Sequence, residues 1–274
     1  MTGAVELSPV AAGLAAALLF GVAGAAVGVY VVLRRMAFIG DALSHTVLPG
    51  VVLASLAGVS LAAGAAAAAL VTAAGIGWLA RRRALHEDTA IGVLFTAMFA
   101  LGILLASGEF DPEELHHLLF GDLMRVTAAD VGLLAVLAAL VLGTLALLHK
   151  ELELASFDPV YAEGIGVRTD RLRQALLALI ALTVVAGLKV VGVLLTSALL
   201  VTPAAAASLL TRRLPAMMAI AAVLAAASGM AGLFLSIQLG VSSGAATVLV
   251  CTLGFGLAWL LRAAPLAFAR GNRT

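Results

Sequence analysis

Asp41 and His45 stand four residues apart in RRMAFIGDALSHTVLPG, so they share one face of any helix that forms there. A carboxylate and an imidazole converging in this way are two parts of a transition-metal site: the imidazole gives a borderline nitrogen, the carboxylate a hard, charged oxygen. One such pair is too few ligands for an ion. A second copy of the chain, placing the same helix near a two-fold axis, would complete a set of four. The same spacing also serves a local arrangement in which Asp41 caps the helix after Gly40 and accepts a hydrogen bond from Ser44, with His45 a polar neighbour. Spacing alone leaves both open.

Other groups that could do chemistry are few. Lys189, in VVAGLKVVGVLL, lies near the end of an apolar run, where it either snorkels to the headgroups or lines a pathway. Glu113, Glu114, His116 and His117 could gather metal at an outer mouth, or form the solvated face of a surface helix. His86, Glu87 and Asp88 follow three arginines and read as an exposed, salt-bridging turn. The chain has no G-x-x-x-x-G-K-[ST] run, so it does not bind ATP by a P-loop, and an ATP-driven step would need a partner. It also lacks a G-x-S-x-G elbow, a CxxC pair and an HExxH helix, which speaks against hydrolase and redox chemistry. Its one cysteine, Cys251, allows no intrachain disulfide.

The elements that must hold these residues are set by the solvent. Of 274 residues, 63% are hydrophobic and 11% charged, well outside the range of soluble domains. Apolar runs of bilayer-spanning length recur at 10–33, 40–58, 61–80, 90–107, 129–149, 173–188, 190–211, 214–235 and 243–262. An all-α, polytopic membrane protein follows, one domain over residues 1–274 with about nine crossings, or eight if the sixth and seventh are one. The second crossing, with Asp41, His45 and Pro49-Gly50, should be short, kinked or partly unwound. The first is longer than a signal-peptide core and reads as a retained membrane helix. With nine crossings and the amino terminus outside, the five basic groups, from Arg34-Arg35 to the carboxy-terminal arginines, all fall on the cytoplasmic side. The net charge of +1, with arginines at the ends of apolar runs, argues against nucleic-acid binding.

Two stretches outside the membrane exceed ordinary turns. The outer loop at 108–128 contains Asp111-Pro112-Glu113-Glu114, a cap, a helix-opening proline and first-turn acids, and predicts a short interfacial helix. The cytoplasmic segment at 150–172 repeats that grammar in SFDPVYAEGIG: Asp158 caps, Pro159 opens and Gly164 closes a short helix.

YVVLRRMAFIGDALSHTVLPGVVLA, EDTAIGVLFTAMFALGI, LLFGDLMRVTAADV, FDPVYAEGIGV and KVVGVLLTSALLVTPAAAASLL, followed by GLFLSIQLGVSSGAATVLV, resemble in order the permease subunits of zinc- and manganese-type ABC importers. That resemblance implies a transport subunit of the bacterial cytoplasmic membrane and not an enzyme. It implies a homodimer, cytoplasmic ATPase subunits that alone bind ATP, and an extracytoplasmic metal-binding delivery protein. It implies no resident cofactor, with Zn2+ or Mn2+ as cargo. Asp41 and His45 fall on the family's proposed metal ligands, and Phe157, Asp158, Tyr161 and Gly164 on its coupling segment. A metal chelate or a vitamin as cargo is the nearest alternative. A gradient-driven carrier would show more paired mid-membrane acids than this chain has.

Overall fold

The structure, a computed structural model, describes residues 8–81, 85–107 and 126–271. Among these the chain forms helices and no strand. Nine of the described helical spans are long and apolar enough to cross a bilayer: Val10–Leu33, Ile39–Leu56, Leu61–Ala80, Glu87–Ala106, Ala128–Leu147, Thr169–Val191, Val193–Leu210, Leu214–Leu239 and Ser243–Ala263. Each coincides with an apolar run of the sequence. The sixth and seventh are separate because Gly192, at φ +82°, turns the chain between them.

The first span is α1 (Pro9–Leu33), opened by Ser8, whose hydroxyl accepts from the Ala11 N–H at 3.3 Å. The second is two helices, α2 (Ile39–Thr46) and α3 (Leu48–Leu56). Pro49 has no N–H to give the carbonyl four residues back, which is that of His45, and it disfavours helical geometry at Leu48, so the ladder breaks at Val47. Next come α4 (Leu61–Ala80), α5 (Glu87–Ala106) and α6 (Ala128–Leu147). Two short helices, α7 (His149–Phe157) and α8 (Pro159–Gly164), lead into α9 (Thr169–Val191), α10 (Val193–Leu210), α11 (Leu214–Leu239) and α12 (Ser243–Gly271).

In lipid the hydrocarbon competes with apolar side chains, so helices associate through close packing of small residues. Helix α1 is the hub, enclosed by α6, α9, α10 and α11. Gly28 lets α1 approach the Leu200 carbonyl of α10, and Gly50 of α3 meets Gly64 of α4 backbone to backbone; a methyl group at any of the three would overlap a main-chain oxygen. The core around them is apolar, with Phe20, Tyr30, Met36, Ile39 and Leu43 fully buried. Helices α5, α6 and α12 leave most of their surface outward, as lipid-facing helices do.

The segment from Lys150 is helical almost at once, as α7, because its two buried residues, Leu152 and Ala155, give a polar stretch one apolar edge. Helix α8 ends at Gly164, as its spacing predicts, and the left-handed residue just beyond it is Gly166. Gly164 is still helical, whereas Gly166 takes φ +89°, with Gly166 N–H donating to Glu163 and Val167 N–H to Ala162 in a Schellman pattern.

Candidate functional site

Helix α2 is enclosed by α4, α5, α9 and α10. Six of its eight residues are buried, and Asp41 and His45 are the two that are not. Their side chains are 40% and 28% accessible, and His45 Nε2 lies 3.8 Å from Asp41 Oδ1. Because the residues are one turn apart, both side chains leave the helix on the same face. The Ser44 hydroxyl, which a local cap would have pointed at Asp41, donates to the Gly40 carbonyl at 2.8 Å. The Ser44 hydroxyl is therefore not a donor to the Asp41 carboxylate.

The His45 ring is held by aromatic side chains that spacing did not reveal. Phe95 and Phe99 of α5 stack on each other at 5.8 Å and meet the imidazole edge-on at 6.0 and 5.4 Å, while Phe38 abuts Phe95 at 5.5 Å. At 1.5 Å rise per residue, Phe95 and Phe99 stand about 12 and about 18 Å along α5 from Glu87. The two rings therefore stand near the middle of the Glu87–Ala106 span. The signal for this wall was present as two phenylalanines four residues apart in VLFTAMFA, but an apolar helix facing lipid has the same pattern.

At the end of the bundle that carries α8, charges from four helices meet. Glu87, the first residue of α5, lies 3.0 Å from Arg173 of α9 and 3.8 Å from Arg34 at the end of α1. Asp170 pairs with Arg173 at 3.4 Å and with Arg81, beyond α4, at 3.2 Å. The expected exposed turn at Glu87 is thus corrected: this carboxylate is 21% accessible and sits among helix ends. Nearby, the buried Tyr30 hydroxyl meets His149 Nδ1 at 3.3 Å, and His149 Nε2 faces Glu153 at 3.8 Å.

The predicted coupling residues form a capped, outward-pointing tip. Asp158 Oδ1 accepts from the Tyr161 N–H at 2.9 Å with Pro159 at the helix start, and Phe157, Val160, Tyr161 and Ile165 are exposed. The Lys189 side chain is 53% accessible and does not reach Asp41. It makes a 2.8 Å ion pair with Asp130, which also accepts from the Thr127 N–H and hydroxyl in the capping box of α6. Glu113, Glu114, His116 and His117, with the short outer helix expected around them, lie outside the described residues. Among the described residues, no three His, Cys, Asp or Glu side chains gather as a metal-ligand group.

The family model of the ABC 3 transport family matches residues 8–262. The chain belongs to the ABC 3 transport family. It is a multi-pass transport subunit of the bacterial cytoplasmic membrane and not an enzyme. It is 38% identical over 260 residues to the manganese transport system membrane protein MntC of Listeria monocytogenes, covering 95% of this chain and 93% of that one. It is 41% identical over 247 residues to MntC of Halalkalibacterium halodurans, covering 90% and 85%. Among solved structures it is similar to PsaBC from Streptococcus pneumoniae in complex with Fab, with a TM-score of 0.79 and 32% identity over 90% of this chain and 89% of that one.

Proposed function

We propose that this subunit imports a divalent transition metal, manganese before zinc, and that Asp41 and His45 hold the ion in transit. The observation that carries this reading is α2 itself: a helix closed in by four others whose two partly open side chains are an oxygen and a nitrogen ligand on one face. A bare divalent ion in hydrocarbon is prohibitively costly, while a full cage would stall its release. Two ligands per chain suit a passing ion. In a homodimer with α2 near the axis, the two copies would supply two oxygens and two nitrogens, and hard oxygens and water favour manganese. The relatives named as manganese transporters support the same cargo. No resident cofactor is needed in this scheme, since the metal is the substrate.

In this reading ATPase subunits seat the tip at 157–164, whose exposed Phe157, Val160 and Tyr161 offer apolar anchors on a capped, stiff turn. ATP binding and release there rock the permease halves, and a delivery protein loads the outward-open state. The test is uptake of labelled manganese and zinc by the reconstituted complex with its delivery protein. Manganese uptake that unlabelled zinc does not outcompete is expected; ATP-driven uptake of neither ion, with a chelate carried instead, would overturn the reading.

A further inference from the structure

Glu87 is shared by two cations that belong to different parts of the molecule. Arg34 closes α1, the hub, whereas Arg173 lies in the second turn of α9, which follows directly on the tip at 157–164. The tip is fastened to α9 by the Thr169 hydroxyl, which donates to Glu163 Oε1 at 2.8 Å. Glu87 begins α5, and α5 carries the Phe95 and Phe99 rings that hold His45.

The triad is enclosed but unsaturated. Arg34, Glu87 and Arg173 are 11%, 21% and 22% accessible; Glu87 Oε1 faces both guanidinium groups, and Asp170 gives Arg173 a second carboxylate at 3.4 Å. Arg34 Nε and Arg173 Nη1 are buried without a hydrogen-bond partner. Burial pulls the Arg34 guanidinium below its ordinary value; Glu87 acts against that shift and Arg173 adds to it. A buried guanidinium with unused donors is costly, and although Asp170 also reaches Arg173, Glu87 is the carboxylate that the two arginines share. In this structure it favours Arg173, at 3.0 Å against 3.8 Å.

We propose that Glu87 is a positioning residue of the transport cycle, its carboxylate passing between Arg173 on α9 and Arg34 on α1 as the tip at 157–164 moves. When Glu87 is bound to Arg173, α5 follows α9 and the tip. When it is bound to Arg34, α5 stays with the hub, and the phenylalanine wall beside His45 shifts relative to α2. The inference rests on the reading of Asp41 and His45 as the cargo site, but its geometry is measurable without any metal.

A static staple is the competing account, and the two arginines separate it from a switch. A staple is loosened alike by losing either arginine, whereas a switch is biased in opposite directions. Each single variant retains one ion pair to Glu87, and its insertion and assembly with the ATPase subunits are checked before labelling. Spin labels at the exposed positions Asp88 and Arg35, in a Cys251→Ala background, report the distance from α5 to α1 in the complex with its ATPase subunits. Arg173→Gln is expected to enrich the short-distance population and Arg34→Gln to deplete it. Glu87→Gln should abolish the change between nucleotide-free and nucleotide-trapped complex and cut uptake about tenfold, and Glu87→Asp should restore part of both. Shifts of the same sign in the two arginine variants, or a nucleotide response that survives in Glu87→Gln, overturn the proposal. Mn2+ binding by the same preparations distinguishes the two failures: binding retained with no label response removes the switch alone, and no binding by the unaltered complex removes the cargo site.

Discussion

At the scale of single residues, the turn that delivers α2 to its place is held by an unlikely residue. Met36 N–H donates to Val31 and Arg35 N–H to Val32, the Schellman pattern, with Arg35 at the left-handed position at φ +60°. The corresponding position after α3 is Gly58 and after α8 is Gly166. A side chain in that conformation costs about 1 kcal/mol or somewhat more. Arg35→Gly should therefore raise the midpoint of thermal unfolding in detergent, and a lowered midpoint would show that the arginine side chain contributes more than its backbone costs. Sequence spacing revealed that Asp41 and His45 share a face, because helical periodicity is local. It could not reveal Phe95 and Phe99 against the imidazole, Asp130 against Lys189, or Glu87 between two arginines, since each joins residues far apart in the chain.

Among the elements, α8 shows how far local grammar reaches. Asp158 and Pro159 were legible as cap and helix opening because both act on the next three residues. The helix stops at Gly164 as the spacing predicts, while the left-handed turn beyond it falls at Gly166, which the glycines of EGIG alone do not distinguish. Pro49 likewise signalled a break in the second span, while Gly50 beside it serves the crossing with Gly64, a contact between helices. For the tip itself, Asp158→Arg removes the acceptor of the Tyr161 N–H, a loss of about 1 kcal/mol, and puts a cation on the docking surface. ATP hydrolysis per ion moved should rise severalfold in proteoliposomes. An unchanged ratio would place the lever elsewhere.

For the whole molecule, the bilayer made the fold legible: nine apolar runs became nine described spans, because lipid leaves the backbone almost no choice but helix. Charge adds the orientation, since Arg34, Arg81 and Arg173, from three separate basic groups, come together at the end that carries α8, as the positive-inside rule requires of a cytoplasmic face. What spacing left undecided was whether α2 itself sits inside that bundle: α4, α5, α9 and α10 pack around it, and Asp41 and His45 are its two residues that stay partly accessible. The direct test is labelled manganese uptake by the reconstituted complex with Asp41→Ala or His45→Ala in protein that still inserts and assembles. Loss of uptake in both variants is predicted, and transport at the unaltered rate by both would contradict the assignment.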